Sequence, residues 1–303
     1  MPTKSLQTIL YRELSKAKAK EVLINITPLF RELVNYGSNA LIRCATSLRG
    51  EIDDNLAALA IYRLILEMID AFEVLISESC PIPTIPLLRC VFEALLSLDY
   101  LFEEKSTYTI RSLSWFACDY HKRIELYKSF LPSTQQGKLL KTSIQKDKGI
   151  HVYPNPPEDQ VNKAIDNLSN HLLNPKFNSI ELEFLNRKKR VEWYSLFGGP
   201  RNIQQLSEHL HRNAQYDLLY RYWSNIVHAQ ELSLLLVKTA DNATGIKGIR
   251  DSASIVEVSR LAATFMVDAT RSFVLHFRPD EDYAQYYNKE IRPLFISLME
   301  QSG

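Results

Sequence analysis

Hydrophobic residues recur along most of this chain at the three- and four-residue spacing of amphipathic helices. Leucines and isoleucines keep this spacing from about Ser5 to Asn25, from Pro28 to Arg49 and from Asp53 to Ser79. Polar and apolar residues never alternate over more than a few positions, as they would in a half-buried strand. The pattern therefore predicts a chain built almost entirely of α-helices.

The same spacing predicts further helices over the rest of the chain. They cover roughly residues 87–104, 106–131, 158–173, 180–190, 202–212, 215–228 and 252–277, with a last helix after Pro279. The helix at 87–104 is apolar nearly all round its first three turns, so we expect it to lie deep in the fold. We predict an all-α, multi-helix bundle in which residues 1–303 form one large domain, with a candidate sub-domain boundary at the proline-rich loop 149–157.

The composition narrows the classes of partner. The 36 Lys and Arg residues nearly balance the 35 Asp and Glu residues, so no overall field draws the protein to nucleic acid, and any anion-binding surface must be local. No apolar run approaches the roughly 20 residues that span a bilayer, and no signal peptide is visible, so we expect a cytoplasmic protein without a membrane partner. The four cysteines are scattered, which predicts reduced core residues and neither a metal site nor a cofactor.

One face of the helix at 215–228 carries the residues best suited to chemistry. Asp217, Arg221, Ser224, Asn225 and His228 fall within about 100° of arc when residues are placed at 100° intervals. Arg221 is suited to hold phosphate oxygens and His228 to move a proton, while Asn225 or Ser224 positions them. The alternative is a solvated helix face with an ion pair between Asp217 and Arg221.

A second polar pair, Arg89 and Glu93, lies one turn apart on the helix expected to be buried. Charges on a buried helix are costly unless they are paired, so one interpretation is an internal bridge that orders the bundle. The other is that the pair reaches the face of Arg221 and His228 and supports it, with Tyr100 as a further member.

Other motifs add little. No Gly-x-Ser-x-Gly elbow, phosphate-binding loop or dinucleotide fingerprint occurs in the sequence. His209 and His211 stand two residues apart, which on a helix sends them to different faces, so no zinc site is expected from them.

Two family resemblances rest on these residues. Arg89-x-x-x-Glu93 followed by Tyr220-x-x-x-Ser224-x-x-x-His228 resembles a family of bacterial helical proteins of unknown function, over roughly residues 55–275. Arg221-x6-His228 is similar to the Arg-x4–6-His motif of the HEPN superfamily, although Tyr222 stands where that motif usually has a polar residue.

The HEPN resemblance implies a metal-independent endoribonuclease of toxin–antitoxin or phage-defence systems, acting on RNA as a homodimer. In it Arg221 and His228 would be catalytic, and Arg89 and Glu93 would support them. Two alternatives stay open. One is a noncatalytic interaction module that contacts a protein partner through the loop Trp193–Pro200. The other is a sensor of nucleotides or small anions.

Overall fold

Helices make up nearly all of the regular structure. The computed structural model describes residues 10, 12–48, 53–148, 156–187, 191–228, 233–238, 240–250 and 252–301. Within these ranges the only strands recorded are two of three residues each. The prediction of an all-α, multi-helix fold is therefore confirmed, whereas the likeness to HEPN proteins stays a prediction.

The helices follow the predicted order closely. The α-helices are α1 (Arg12–Leu23), α2 (Ile26–Thr46), α3 (Asp53–Ser77), α4 (Thr84–Phe102), α5 (Tyr108–Lys128), α6 (Gln135–Lys146), α7 (Glu158–Leu172), α8 (Asn178–Leu185), α9 (Ile203–His209), α10 (Asn213–Gln215), α11 (Arg221–Val227), α12 (Ile255–Phe277), α13 (Tyr283–Tyr286) and α14 (Arg292–Glu300). Among them, in the part of the chain that is described, none has the length and apolar composition that a membrane crossing requires.

Shorter elements connect these helices. Single 3-10 turns lie at Pro175–Phe177, Trp193–Gly198 and Ser233–Leu235, and π-helical turns lie at Tyr216–Tyr220 and Tyr287–Ile291. Strands β1 (Leu236–Lys238) and β2 (Thr244–Ile246) pair antiparallel, with Val237 opposite Gly245.

The chain divides into two compact units. The first comprises Met1–Ile52, Ala58–Glu103 and Ser207–Gly303, and the second comprises Asp53–Ala57 and Glu104–Leu206. The single domain over 1–303 stays a prediction, because this division describes only the packing inside each unit. The predicted boundary at 149–157 falls mostly on residues 149–155, which lie outside the described residues.

The core of the first unit forms around α4. Helix α12 packs against both α4 and α2, and α4 buries residues on most of its circumference, as expected for a central helix. The buried Tyr62 lies between these helices: its hydroxyl is 3.0 Å from the Thr270 hydroxyl, and its ring stacks on Phe273 with centroids 4.0 Å apart.

The second unit is organised by α5. Helices α7 and α8 and the turn Trp193–Gly198 pack against it. His121 of α5 lies 2.9 Å from a carboxylate oxygen of Glu181, and Lys122 donates to Glu192 at 2.7 Å. Apolar packing and peripheral ion pairs thus attach the other elements of this unit to α5.

Helix α6 was not among the helices that the sequence pattern predicted. Thr134 caps it, because its hydroxyl accepts a hydrogen bond from the Gly137 amide at 3.0 Å. A Cβ at Gly137 would lie 1.9 Å from the Leu131 carbonyl oxygen, so only glycine fits in this first turn. The helix forms from local capping and has few buried side chains, which explains its weak apolar period.

The cysteines depart from expectation at one position. Cys44 and Cys118 are buried, but Cys90 is exposed, so the prediction that all four cysteines are core residues is wrong for Cys90. It lies on the side of α4 that faces away from the core. In the described ranges no group of three or more His, Cys, Asp or Glu side chains is placed to hold a metal ion.

Gly37 provides a test of the core of the first unit. A Cβ at this position would lie 2.6 Å from Leu66 and 2.7 Å from Met266, in the centre of the packing of α2. We expect Gly37→Ala to lower the free energy of unfolding by about 1–3 kcal/mol through overpacking, although alanine normally favours a helix. Urea unfolding followed by circular dichroism measures this, with the exposed Arg31→Ala on the same helix as control. A stabilised Gly37→Ala protein would contradict the packing.

Candidate functional site

The segment from Asn213 to His228 is helical but not regular. It comprises α10, the π-helical turn Tyr216–Tyr220 and α11, whereas the sequence predicted one continuous α-helix. A π turn inserts one extra residue into the helical ladder, and such turns are frequent at functional sites. The phase of the helix therefore shifts just before Arg221.

Tyr220, the last residue of the π turn, is the polar centre of the contact between this segment and α4. Its hydroxyl accepts a hydrogen bond from Nη2 of Arg89 at 2.7 Å and donates one to Oε1 of Glu93 at 2.8 Å. Nε of Arg89 lies 3.3 Å from the same Glu93 oxygen. One buried phenol thus bridges both members of the pair.

Ring contacts fix the position of this phenol. The guanidinium carbon of Arg89 lies 4.6 Å from the centroid of the Tyr220 ring, within cation–π range. Tyr216 stacks on Tyr220 with ring centroids 5.1 Å apart. The ring of Phe92 is tilted against that of Tyr220, with centroids 6.0 Å apart. The orientation of Tyr220 is therefore determined by packing as well as by hydrogen bonds.

The electrostatics of this cluster favour a protonated phenol. Burial raises the pKa of Tyr220 to about 12, in spite of the hydrogen bond from Arg89, so the hydroxyl keeps the proton that it donates to Glu93. Burial works against the charge of Arg89, but Tyr220 and Glu93 outweigh it and leave the pKa of the guanidinium raised. Nε of Arg89 is nevertheless buried and has no hydrogen-bond partner among the described residues.

The polar face of α11 is open to solvent. Arg221, Asn225 and His228 are exposed, and Ser224 is half-buried. Nη1 of Arg221 donates to Asp217 at 3.1 Å, and these two side chains are 69% and 54% exposed. The ion pair that the alternative interpretation predicted is therefore present, in a geometry that contributes little stability.

The six predicted site residues divide into two layers. Arg89 and Glu93 reach the neighbouring helix as expected, but they meet Tyr220, and no hydrogen bond joins either of them to Arg221 or His228, all of which lie in the described residues. Arg221, Ser224, Asn225 and His228 form the outer layer. Their predicted roles stay predictions, and the expectation of a single shared pocket is replaced by an inner cluster under an outer face.

Two tyrosines depart from the sequence interpretation. Tyr100 was expected beside Arg89, but its ring packs edge-on against His209, with centroids 5.8 Å apart. Tyr220 was not among the predicted site residues. Its place in the Tyr-x-x-x-Ser-x-x-x-His pattern, one residue before Arg221, was the signal available in the sequence.

The outer face has groups that can bind a phosphodiester and move one proton. The guanidinium of Arg221 presents a fork of donors suited to two phosphate oxygens, and its surface pairing with Asp217 is weak enough to be exchanged. His228 follows about two turns, or roughly 10 Å, along the helix. Asn225 lies between them and offers an amide that can donate and accept.

Tyr220→Phe tests the inner cluster. The substitution removes one hydroxyl and leaves Arg89 and Glu93 without their shared partner, so we expect the free energy of unfolding to fall by about 1–3 kcal/mol. Urea unfolding at neutral pH measures it.

Tyr222→Phe is the matched control, because Tyr222 lies two residues away with its side chain exposed. It should change the free energy of unfolding by no more than about 0.5 kcal/mol. Equal effects of the two substitutions would show that the Tyr220 hydroxyl does not carry this contact.

Comparison with known proteins gives a family and no activity. Neither the curated proteins nor the solved structures contain a match to this chain. Residues 55–243 match a family described as of unknown function, DUF5677. The matched region includes Arg89, Glu93 and all of α11, and it ends before α12, short of the expected limit at 275. Because the match covers more than half of the residues, the chain is a member of the DUF5677 family.

Proposed function

We propose that this protein is a metal-independent endoribonuclease that acts through the outer face of α11. The observation that carries the proposal is the common exposure of Arg221 and Asn225 on α11 and of His228, the residue at its carboxyl-terminal cap, directly after a π turn. The similarity of Arg221-x6-His228 to the HEPN motif supports the same assignment. The proposed substrate is RNA, and the proposed setting is a toxin–antitoxin or phage-defence system. The proposed location is the cytoplasm.

The chemistry follows from the side chains present. Arg221 binds two nonbridging oxygens of the scissile phosphate, and Asn225 and Ser224 orient the sugar and phosphate. His228 accepts the proton of the 2′-hydroxyl while its oxygen attacks phosphorus. The bond from phosphorus to the 5′-oxygen breaks, the leaving oxygen takes up a proton, and a 2′,3′-cyclic phosphate remains.

The inner cluster has a positioning role in this proposal. Tyr220 directly precedes Arg221, and its hydroxyl is held from two sides by Arg89 and Glu93. The start of α11 is therefore fixed against α4, although Arg221 itself extends into solvent. A fixed helix with exposed catalytic side chains is suited to a long polymeric substrate.

A second copy of the chain completes the proposed site. One chain offers a single exposed imidazole on α11, whereas cleavage uses both a base and an acid. Leu218 is 73% exposed beside Asp217, and Tyr222 is exposed beside Arg221, so apolar contact area adjoins the polar residues. We propose a homodimer in which two α11 faces meet across the RNA.

One observation favours the noncatalytic alternative. In the turn Trp193–Gly198, Trp193 is buried, but Phe197 is 50% exposed and adopts a left-handed backbone with φ of 53°. An exposed aromatic side chain held in such a conformation is suited to contact a protein partner. The loop proposed for that role therefore presents one side chain, Phe197, and not the tryptophan.

Cleavage of RNA in EDTA tests the ribonuclease. We expect purified protein to cut a mixed cellular RNA and to leave 2′,3′-cyclic phosphate ends, and we expect His228→Ala and Arg221→Ala each to lower the rate by about 100-fold or more. Both residues are exposed, so thermal melting should be unchanged.

His171→Ala is the control, because His171 is an exposed histidine of the second unit. It should cut as the unaltered protein does. Equal cutting by all variants would reveal a contaminating nuclease, and no cutting by any protein would remove the catalytic proposal in favour of the interaction module.

Leu218→Glu tests the dimer. A carboxylate at this exposed position leaves the monomer fold unchanged but opposes an apolar contact between two copies. We expect light scattering to give a dimer for the unaltered protein and a monomer for the variant, together with loss of cleavage. A monomeric unaltered protein that cleaves RNA would show that one chain is sufficient.

A further inference from the structure

A cleft of about 580 Å³ lies in the first unit, at the carboxyl end of α4 and the loop after α9. Its volume falls in the usual range of small-molecule sites. It is lined by Asp99, Glu103, His209, Leu210, His211, Arg212, Ala214 and Gln215. None of these residues belongs to the face of α11.

The backbone brings both histidines to this cleft. Helix α9 ends at His209, and His211 adopts a left-handed conformation with φ of 57°. The Arg212 amide then donates back to the Ser207 carbonyl at 2.7 Å. The expectation that His209 and His211 point to different faces assumed a continuing helix and is wrong, because the helix has already ended.

The carboxylates of the cleft are engaged within the protein. Oδ2 of Asp99 accepts from Nε of Arg212 at 2.8 Å, and Oδ1 accepts from Ser272 at 3.2 Å. Both oxygens of Glu103 face Nε2 of His209, at 2.8 and 3.0 Å. Burial raises the pKa of Asp99, although the neighbouring Arg212 guanidinium opposes this shift.

The groups left over are mainly hydrogen-bond donors. Arg212 uses Nε for Asp99, and Nη1 for Gln215 at 2.9 Å and Asp268 at 3.1 Å, while Nη2 has no partner among the described residues. The guanidinium is only 17% exposed, so this donor is held in place. The His211 amide donates to the Glu208 carbonyl at 3.1 Å, but the His211 imidazole, which lines the cleft, has no hydrogen-bond partner in the described part of the chain.

We infer that this cleft binds a phosphomonoester group, with Nη2 of Arg212 and the imidazole of His211 as donors. The placed donors match the oxygens of such a group, and the carboxylates serve to orient Arg212 and His209. Asp99 and Asp268 already pair with Arg212, and Glu103 faces His209, so the cleft holds no surplus of positive charge. Recognition therefore depends on oriented donors.

The source of the phosphomonoester is either a free nucleotide or the 5′-phosphate of an RNA end. The inference does not depend on the proposed ribonuclease, because the cleft and the face of α11 share no residue. Failure of one leaves the other intact.

Calorimetric titration of the full chain with AMP, adenosine and inorganic phosphate tests the inference. We expect AMP and phosphate to bind and adenosine not to bind. His211→Ala should weaken AMP binding by about tenfold, the effect of one charge-assisted hydrogen bond, without a change in melting temperature. His171→Ala is the control and should bind AMP as the unaltered protein does.

A pair of short oligoribonucleotides separates the two sources. On His228→Ala protein, which the proposed function makes inactive, a 5′-phosphorylated trinucleotide that binds more tightly than AMP indicates an RNA end, and one that binds more weakly indicates a free nucleotide. Equal binding of AMP and adenosine, no binding of AMP, or an unchanged affinity in His211→Ala would overturn the phosphomonoester site.

Discussion

The pairing of charges on a buried helix is the constraint on which this part of the structure depends. Helix α4 supplies the centre of the first unit, yet it carries the largely buried Arg89, whose charge needs a partner, and beside it Glu93, whose side chain is 43% exposed. The Tyr220 hydroxyl meets both demands at once, because a phenol accepts from the guanidinium and donates to the carboxylate. The segment from Asn213 to His228 must therefore pack against α4 at Tyr220, independently of the roles of its other residues.

A second polar contact uses the same helix ten residues later, about 15 Å along its axis. Asp99 binds Arg212, which also binds Asp268 of α12. The two contacts hold the stretch from Arg212 to Tyr220 at both ends. The π turn Tyr216–Tyr220 ends at the second contact. An extra residue in the turn lets both side chains reach α4, since a regular helix would have placed Tyr220 at a different angle.

The periodicity of hydrophobic residues was sufficient to predict the helices and the exposed face of α11. It was insufficient to predict how the helices contact one another. The arc of Arg221, Asn225 and His228 was predictable because exposure follows the 100° spacing of residues, and it is exposed. The π turn and the left-handed His211 were not predictable, because each is imposed by tertiary contacts that leave no local signal. Tyr220 had a signal in the Tyr-x-x-x-Ser-x-x-x-His pattern, but nothing in the sequence showed that its hydroxyl lies between Arg89 and Glu93.

Under the proposed ribonuclease function, the near-neutral charge of the chain limits how strongly the outer face would bind RNA. With a net charge of +1, nonspecific attraction to the phosphate backbone is weak, so binding depends on a few local contacts. One exposed arginine on α11, already paired with Asp217, gives few phosphate contacts per chain and hence a shallow dependence of affinity on salt. Under the proposed function, such a surface would select RNA by positioning one phosphate group and not by strong attraction to the whole backbone. The rigid hold of Arg89 and Glu93 on Tyr220 then matters, since positioning needs a helix that does not move.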